Sequence, residues 1–237
     1  MKALILGASG KTGKLVVQQL VKTNFQVRVV VRVSSIFPNN FSGDNRIEIV
    51  KGNVNDFDFA KIKELVKDCD AVICCLGHNI SFKGIFGPPY NLVSKTVAKI
   101  IEAIQSLKRN QKFILMSTTA YTNKKIGEKN SFGEKIVFGL LKVLLPPHRD
   151  NMLAADLLVY KLDAKSGIDW VAVRPDSLFD DENVSEYEIH NHKIRSPIFN
   201  PGKTSRINVS HFMAELITND YLWQEWKNKT PVIYNRE

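Results

Sequence analysis

The 237-residue sequence predicts an α/β fold, a doubly wound parallel sheet with helices on both faces. Three observations predict it. Short apolar runs alternate with helix-period segments along most of the chain. The runs are near-continuously apolar, as strands covered on both faces are. A glycine-rich turn joins the first run to the first helical segment. Right-handed crossovers then carry the chain to both sides of one sheet.

In order, Lys2–Leu6 reads as a short strand and Lys11–Lys22 as a helix with Leu15, Val16 and Leu20 along one side. Gln26–Val31 is a β-branched run, and Arg46–Val50 is a further short strand. Phe57–Lys67 repeats Ile62, Leu65 and Val66 at helical spacing, and Ala71–Leu76 reads as a buried strand. Asn91–Leu107 is a long helix with Val93, Val97, Ile100, Ile101 and Ile104 on its apolar face. Lys112–Met116 is a strand, Asp150–Lys165 a helix and Trp170–Val173 a strand. Beyond Asp176 the pattern weakens into a small irregular C-terminal region. Within it Val209–Thr218 reads as a helix and Thr230–Tyr234 as an added strand. The expectation is a single domain over residues 1–237.

Composition sets the outer limits. Hydrophobic residues make up 44% and charged residues 24%, so enough apolar surface exists to offset chain entropy, and a disordered chain is excluded. No apolar run reaches the roughly 18 residues of a membrane span, so no integral membrane segment is expected. The first strand stops at Gly7 with no small-residue cleavage site behind it, unlike a signal peptide. Cys69, Cys74 and Cys75 are the only cysteines, with no Cys-x-x-Cys among them. A reducing, cytoplasmic setting is therefore expected. The net charge of +9 arises from 33 basic and 24 acidic residues. No basic stripe with interleaved aromatics points to nucleic acid.

The strongest local signal is Gly7-Ala8-Ser9-Gly10-Lys11-Thr12-Gly13. Gly7 permits the tight turn out of the strand, Gly10 admits close approach of a diphosphate, and Gly13 lets the helix pack against the sheet. The N–H groups at the helix start then face the phosphates. Ser9, Lys11 and Thr12 belong to the same turn. Such a turn in a Rossmann-like sheet points to a dinucleotide. In the NAD-binding form an acid about 20 residues on holds the ribose diol. Here Val31 leads into Arg32, with no acid before Asp44. A guanidinium in that place matches a 2′-phosphate, with hydroxyls of Ser34 and Ser35 beside it, so NADP is the expected cofactor.

Taken with Gly52-Asn53-Val54, Leu76-Gly77-His78, Ser117-Thr118-Thr119, Trp170–Pro175 and Thr204–Ile207, the chain resembles the atypical short-chain dehydrogenases/reductases. It is similar to their NAD(P)H-binding subgroup of NmrA-like proteins and small flavin/biliverdin reductases. The resemblance implies that Asn53 and Val54 cradle the adenine and that Leu76, Gly77 and His78 pass the nicotinamide ribose. It implies that hydroxyls of Ser117, Thr118 and Thr119 face nicotinamide and substrate, and that Arg174 stands at another ligand-facing strand end. Residues 176–237 would form a small substrate-side subregion. The Tyr-x-x-x-Lys pair of the full family is missing, because Tyr160 is followed four residues later by Ala164. Tyr121 and Lys125 have the spacing but lie just past the fifth strand. Lys161 sits on the helix that carries the family's lysine and is the candidate for ribose contact.

The implied activity is an NADPH-dependent oxidoreductase passing hydride to a small conjugated or carbonyl acceptor. The alternative is a non-catalytic NADP(H) redox sensor of NmrA type. His190-x-His192 has no third partner at fitting spacing, so no metal is expected. The apolar run Phe132–Leu145 reads as a helix over the site mouth, a homodimer face or a membrane-surface helix helped by Lys135 and Lys142. The loop Asn79–Pro89, with Phe82 and Phe86, is expected to close over an apolar substrate.

Overall fold

The computed structural model describes residues 1–35, 37–38, 41, 43–78, 87–163 and 166–236. Of the expected closing loop Asn79–Pro89, residues 79–86, with Phe82 and Phe86, lie outside these residues, as does Ala164.

The first half of the chain follows the predicted alternation. The elements are β1 (Lys2–Leu6), α1 (Lys11–Lys22), β2 (Gln26–Val31), β3 (Ile47–Lys51), α2 (Phe59–Val66), β4 (Ala71–Cys74), α3 (Leu92–Leu107) and β5 (Gln111–Met116). Then come α4 (Phe132–Leu144), α5 (Pro146–Asp156), a π-helical turn (Leu157–Lys161), β6 (Ile168–Pro175), β7 (Ser177–Phe179), β8 (Tyr187–His190) and β9 (Lys203–Ser205). The chain closes with α6 (Arg206–Thr218), α7 (Asp220–Trp226) and β10 (Val232–Asn235).

Eight strands form one sheet in the order β3-β2-β1-β4-β5-β6-β10-β8, and β7 pairs β9 in a second, two-stranded sheet. The pairings are parallel except that of β8 with β10. Ile5 stands opposite Val29 on one side and Ile73 on the other, and Ile114 aligns Ile73 with Val171. Successive side chains of a strand point to opposite faces. Ala3 and Ile5 accordingly pack with Val16 and Leu20 of α1 and with Val209, Phe212 and Met213 of α6. Leu4 and Leu6 pack on the other face with Ile62, Leu65, Val97, Ile100, Ile104 and Leu158. Both faces of the central strands are thereby dry, which explains their unbroken apolar runs.

Three features differ from expectation. The weakly patterned region forms the short strands β7, β8 and β9, and β8 completes the sheet edge. The helix expected at Asp150–Lys165 begins at Pro146, where a proline is tolerated because its missing N–H has no intrahelical partner. It ends in the π-helical turn. The apolar run forms α4 as expected, capped by Ser131 and Glu134 in a reciprocal capping box. Yet Glu134 is the only residue of α4 that is buried.

Candidate functional site: a dinucleotide cleft

The strand order reverses at β1 and β4, whose outgoing loops leave in opposite directions. Such a switch point opens a crevice at the carboxyl ends of the strands. Here it is a cleft of about 420 Å³. Gly7, Ser9 and Gly10 form its floor; Arg32 and Ser35 stand past β2; Gly52, Asn53 and Val54 follow β3; Cys75, Leu76 and Gly77 follow β4.

The glycine turn can adopt its shape because two side chains are missing. Gly7 has φ +78°, and a Cβ on it would lie 2.5 Å from the Cys75 carbonyl oxygen. A Cβ on Gly13 would overlap the Gly7 carbonyl oxygen. Gly10 donates its N–H to Gly7 O at 2.9 Å and serves as N-cap of α1. No side chain caps that end and no acid stands in its first turn. The α1 amides and the positive end of its dipole are thus left for an anion from outside. This cradle fits the diphosphate of a dinucleotide.

At the end of β2 the Arg32 guanidinium has no acidic partner among the described residues. Asp44, the next acid, is held by Arg46 at 2.7 Å, which keeps its carboxyl down at about 2. Ser35, rather than Ser34, lines the cleft beside Arg32, and its N–H closes a turn onto Arg32 O at 2.9 Å. Asn53 caps the 3₁₀ turn Val54–Asp56 by accepting from Asn55 N at 3.2 Å. Its side-chain amide donates to Asp56 at 3.1 Å, which fixes the Gly52–Val54 backbone against the cleft.

Several expected residues lie elsewhere. Lys11 points across to Asp180, 2.7 Å away, and Asp180 also takes Arg206 at 2.7 Å. Thr12 and Gly13 are buried in the first turn of α1 rather than lining the cleft. Arg174 departs furthest from expectation. It is 0% exposed, and both its amino groups grip Glu128, at 2.7 and 2.9 Å. Its Nε donates to Thr230 O at 2.7 Å and its Nη1 to Tyr121 O at 3.1 Å. Burial alone would raise the Glu128 carboxyl, but Arg174 outweighs it and holds Glu128 below the usual range. The strand-end arginine is a structural clamp, not a ligand group.

His78 turns its Nε2 toward Asp150 at 2.8 Å. Asp150 is fully buried and accepts from Val93 N at 2.7 Å, Ser94 N at 2.9 Å and the Ser94 hydroxyl. It caps α3 from outside that helix and ties the loop after β4 to it. This residue escaped the sequence reading, because its partners lie 56 to 72 positions away.

Of the fifth-strand hydroxyls, Ser117 is the conspicuous one. Its N–H donates to Val173 O at 2.7 Å, whereas its buried Oγ has no partner among the described residues. Ser117 and Leu76 each lie two positions past the registered pair Leu115 and Cys74, which sets Ser117 next to the cleft-lining Leu76, but Ser117 is buried and does not itself line the cleft. Thr118 accepts from Ala120 N at 3.2 Å. Thr119 is buried, and its hydroxyl bonds Asp176, whose carboxyl burial pushes up. Lys161 is exposed and lines a different groove, between α3 and the π-helical turn. Tyr121 is not a free acid either. Its hydroxyl meets Asp156 at 2.9 Å, and burial with that nearby charge raises its pKa strongly. Lys125 is spent on the Val159 carbonyl and the Tyr160 ring.

Comparison with known proteins gives the family and the fold. Residues 7–220 match the NAD(P)H-binding family, and the chain belongs to it. A short-chain dehydrogenase/reductase of Veillonella parvula solved with NADP shares the fold, with a TM-score of 0.69 and 16% identity over 99% of this chain and 94% of that one. An anaerobillin reductase of Escherichia coli O157:H7 shares it with a TM-score of 0.70 and 15% identity over 100% and 98% of the two chains. An uncharacterized chloroplastic protein of Arabidopsis thaliana is 28% identical over 185 residues, which are 76% of this chain and 60% of that protein. Fold and family together define an NAD(P)H-binding protein built on a Rossmann-like sheet.

Proposed function

We propose that the protein is an NADPH-dependent reductase of a small conjugated or carbonyl acceptor. The observation that carries this reading is the cleft itself. It joins an uncapped glycine turn to an acid-free strand end bearing Arg32. The amides of Ser9 and the first turn of α1 hold the diphosphate, with Gly10 leaving room for its close approach. Arg32 and Ser35 grip the 2′-phosphate, a planar fork on three oxygens. Asn53 and Val54 pack the adenine, and Leu76 and Gly77 line the path of the nicotinamide ribose. A reduced nicotinamide supplies hydride from its C4 to the acceptor.

In this reading the chain's own contribution is placement. The unpartnered Ser117 hydroxyl orients the carboxamide or the acceptor carbonyl, with Thr118 beside it. Thr119 acts indirectly, by fixing Asp176 at the end of β6. Residues 176–237 complete the substrate side of a single domain. Tyr121 and Lys125 are each committed elsewhere, so the site is suited to acceptors that need little acid catalysis, such as flavins, quinones or tetrapyrroles. Positioning and exclusion of water then supply most of the rate.

The same commitment of Tyr121 and Lys125 favours a second reading, an NADP(H) redox sensor without turnover. Steady-state oxidation of NADPH against a panel of flavins, quinones and linear tetrapyrroles separates the two. Turnover with any acceptor, reduced about tenfold or more by Ser117→Ala, supports the reductase. Tight NADPH binding with no turnover on the whole panel selects the sensor.

A further inference from the structure

We propose that α4 is a membrane-docking face by which the protein adsorbs onto an anionic phospholipid surface. The helix carries Phe132, Ile136, Leu140, Val143 and Leu144, spaced to share one side, and all five are exposed, Phe132 at 80% and Val143 at 79%. A helix this apolar normally turns such a stripe into a core. In this one only the capping glutamate is fully buried, Val137, Phe138 and Leu141 are half-buried on the inner side, and the stripe itself stays outside. Phe199, also exposed, reaches the helix start at Gly133 and extends the apolar patch.

The charges around the stripe identify the occupant. From Lys124 to Asp150 the chain holds three acids, and each is turned inward. Glu128 is clamped by Arg174, Glu134 closes the capping box with its other oxygen on Ser196, and Asp150 caps α3. The cations of the same stretch, Lys124, Lys125, Lys129, Lys135, Lys142 and Arg149, are all exposed. Lys124, Lys129, Lys135 and Lys142 surround a depression of about 600 Å³ against α4, with Phe138 and Gly139 in its wall. The exposed charge of this segment is therefore wholly positive around an apolar ridge, the pattern of a helix lying in a lipid interface. A second copy is a poor occupant, because a two-fold contact sets each patch against itself and would bring these cations together. At 13 residues the helix spans roughly 20 Å, short of the bilayer core of about 30 Å, so it lies on the surface and does not cross.

Sedimentation of the full chain with vesicles tests this, independently of whether the cleft binds NADPH. Vesicles of phosphatidylglycerol and phosphatidylcholine should pellet the protein at least roughly tenfold more effectively than phosphatidylcholine alone, with the difference shrinking as salt rises. Ile136→Glu with Leu140→Glu, and separately Lys135→Glu with Lys142→Glu, should each lower that binding by about tenfold or more. Circular dichroism unchanged from the parent chain establishes that these variants fold. Protein left in the supernatant with both vesicle types overturns the proposal. So does equal pelleting on uncharged lipid, and so does binding that survives the two glutamates on the ridge, which would be diffuse charge attraction. A dimer in solution that Leu140→Glu splits into monomers assigns the ridge to a second copy and also overturns it.

Discussion

Arg32 and Arg174 both end apolar strands, and sequence position alone treats them alike. Their surroundings separate them. Arg32 stands in the cleft with no acidic partner among the described residues, whereas Arg174 is enclosed by Glu128 and the carbonyls of Tyr121 and Thr230. Charged hydrogen bonds contribute about 1.5–3 kcal/mol each. Arg32→Glu should therefore weaken NADPH binding about tenfold to a hundredfold and leave NADH nearly unchanged, as read by fluorescence titration of both nucleotides. Equal losses for both would show that Arg32 does not meet the 2′-phosphate. Arg174→Met should act oppositely. It strands Glu128 without its partner, at a cost of about 3–5 kcal/mol in stability. The NADPH affinity of the protein that remains folded should match the parent. Denaturant unfolding and nucleotide titration on the same preparation give both numbers. The glycine turn was legible because its constraint is local, one φ and two missing Cβ atoms within seven positions. The Arg174 clamp was not, since Glu128 lies 46 positions away and no spacing rule connects them. Asp150 escaped for the same reason.

At the scale of elements, the central strands and their helices were readable because burial on both faces writes itself into the sequence as unbroken apolar runs. The strands β7, β8 and β9 were not, being three or four residues long and dependent on partners distant in the chain, with no fully buried residue in β7 or β8 and polar ones in β9. The first edge of the sheet shows what binds elements that apolar packing covers less. β3 is largely exposed, and Arg28 of β2 reaches Glu48 of β3 at 2.8 Å and Asp68, just beyond α2, at 2.5 Å. Lys2 of β1 adds contacts to the same two acids at 2.6 and 2.9 Å. Burial on its own would raise the Asp68 carboxyl, but Arg28 and Lys2 outweigh it and hold it at about 2. A depressed carboxyl stabilises the fold above its unfolded pKa of about 4 and loses that contribution as the pH falls toward the folded value. Thermal stability should therefore drop between pH 4 and about 2, in part through this edge. In Arg28→Met the parent's advantage should narrow steadily over that window. An offset between the two curves that stays constant with pH would remove the network from the account.

The whole molecule offers the broadest test, because folding and binding are linked. The cleft is assembled from the ends of β1, β2, β3 and β4, which meet only in the folded sheet, so a nucleotide bound there stabilises the fold against unfolding. At a hundred times its dissociation constant, a ligand adds about 2.7 kcal/mol. For a chain of this size each kcal/mol moves the midpoint by about 2–4 °C, so saturating NADPH should raise Tm by roughly 5–11 °C. On the proposed reading, in which Arg32 and Ser35 hold the 2′-phosphate, NADH at the same concentration should raise it less. Gly7→Ala should abolish both shifts, because its Cβ would meet the Cys75 carbonyl and the left-handed φ would be strained. That variant also lowers the starting Tm, so the informative quantity is the ligand-induced difference. Differential scanning fluorimetry across a nucleotide series, repeated at two salt concentrations, measures it. The preference for NADPH should shrink as salt screens the Arg32 contact, while the NADH response should change less. If neither nucleotide moves the parent's Tm, the cleft binds no pyridine nucleotide and the reductase and sensor readings fall together. If both move it equally at low salt, the cofactor reading survives and the 2′-phosphate assignment does not.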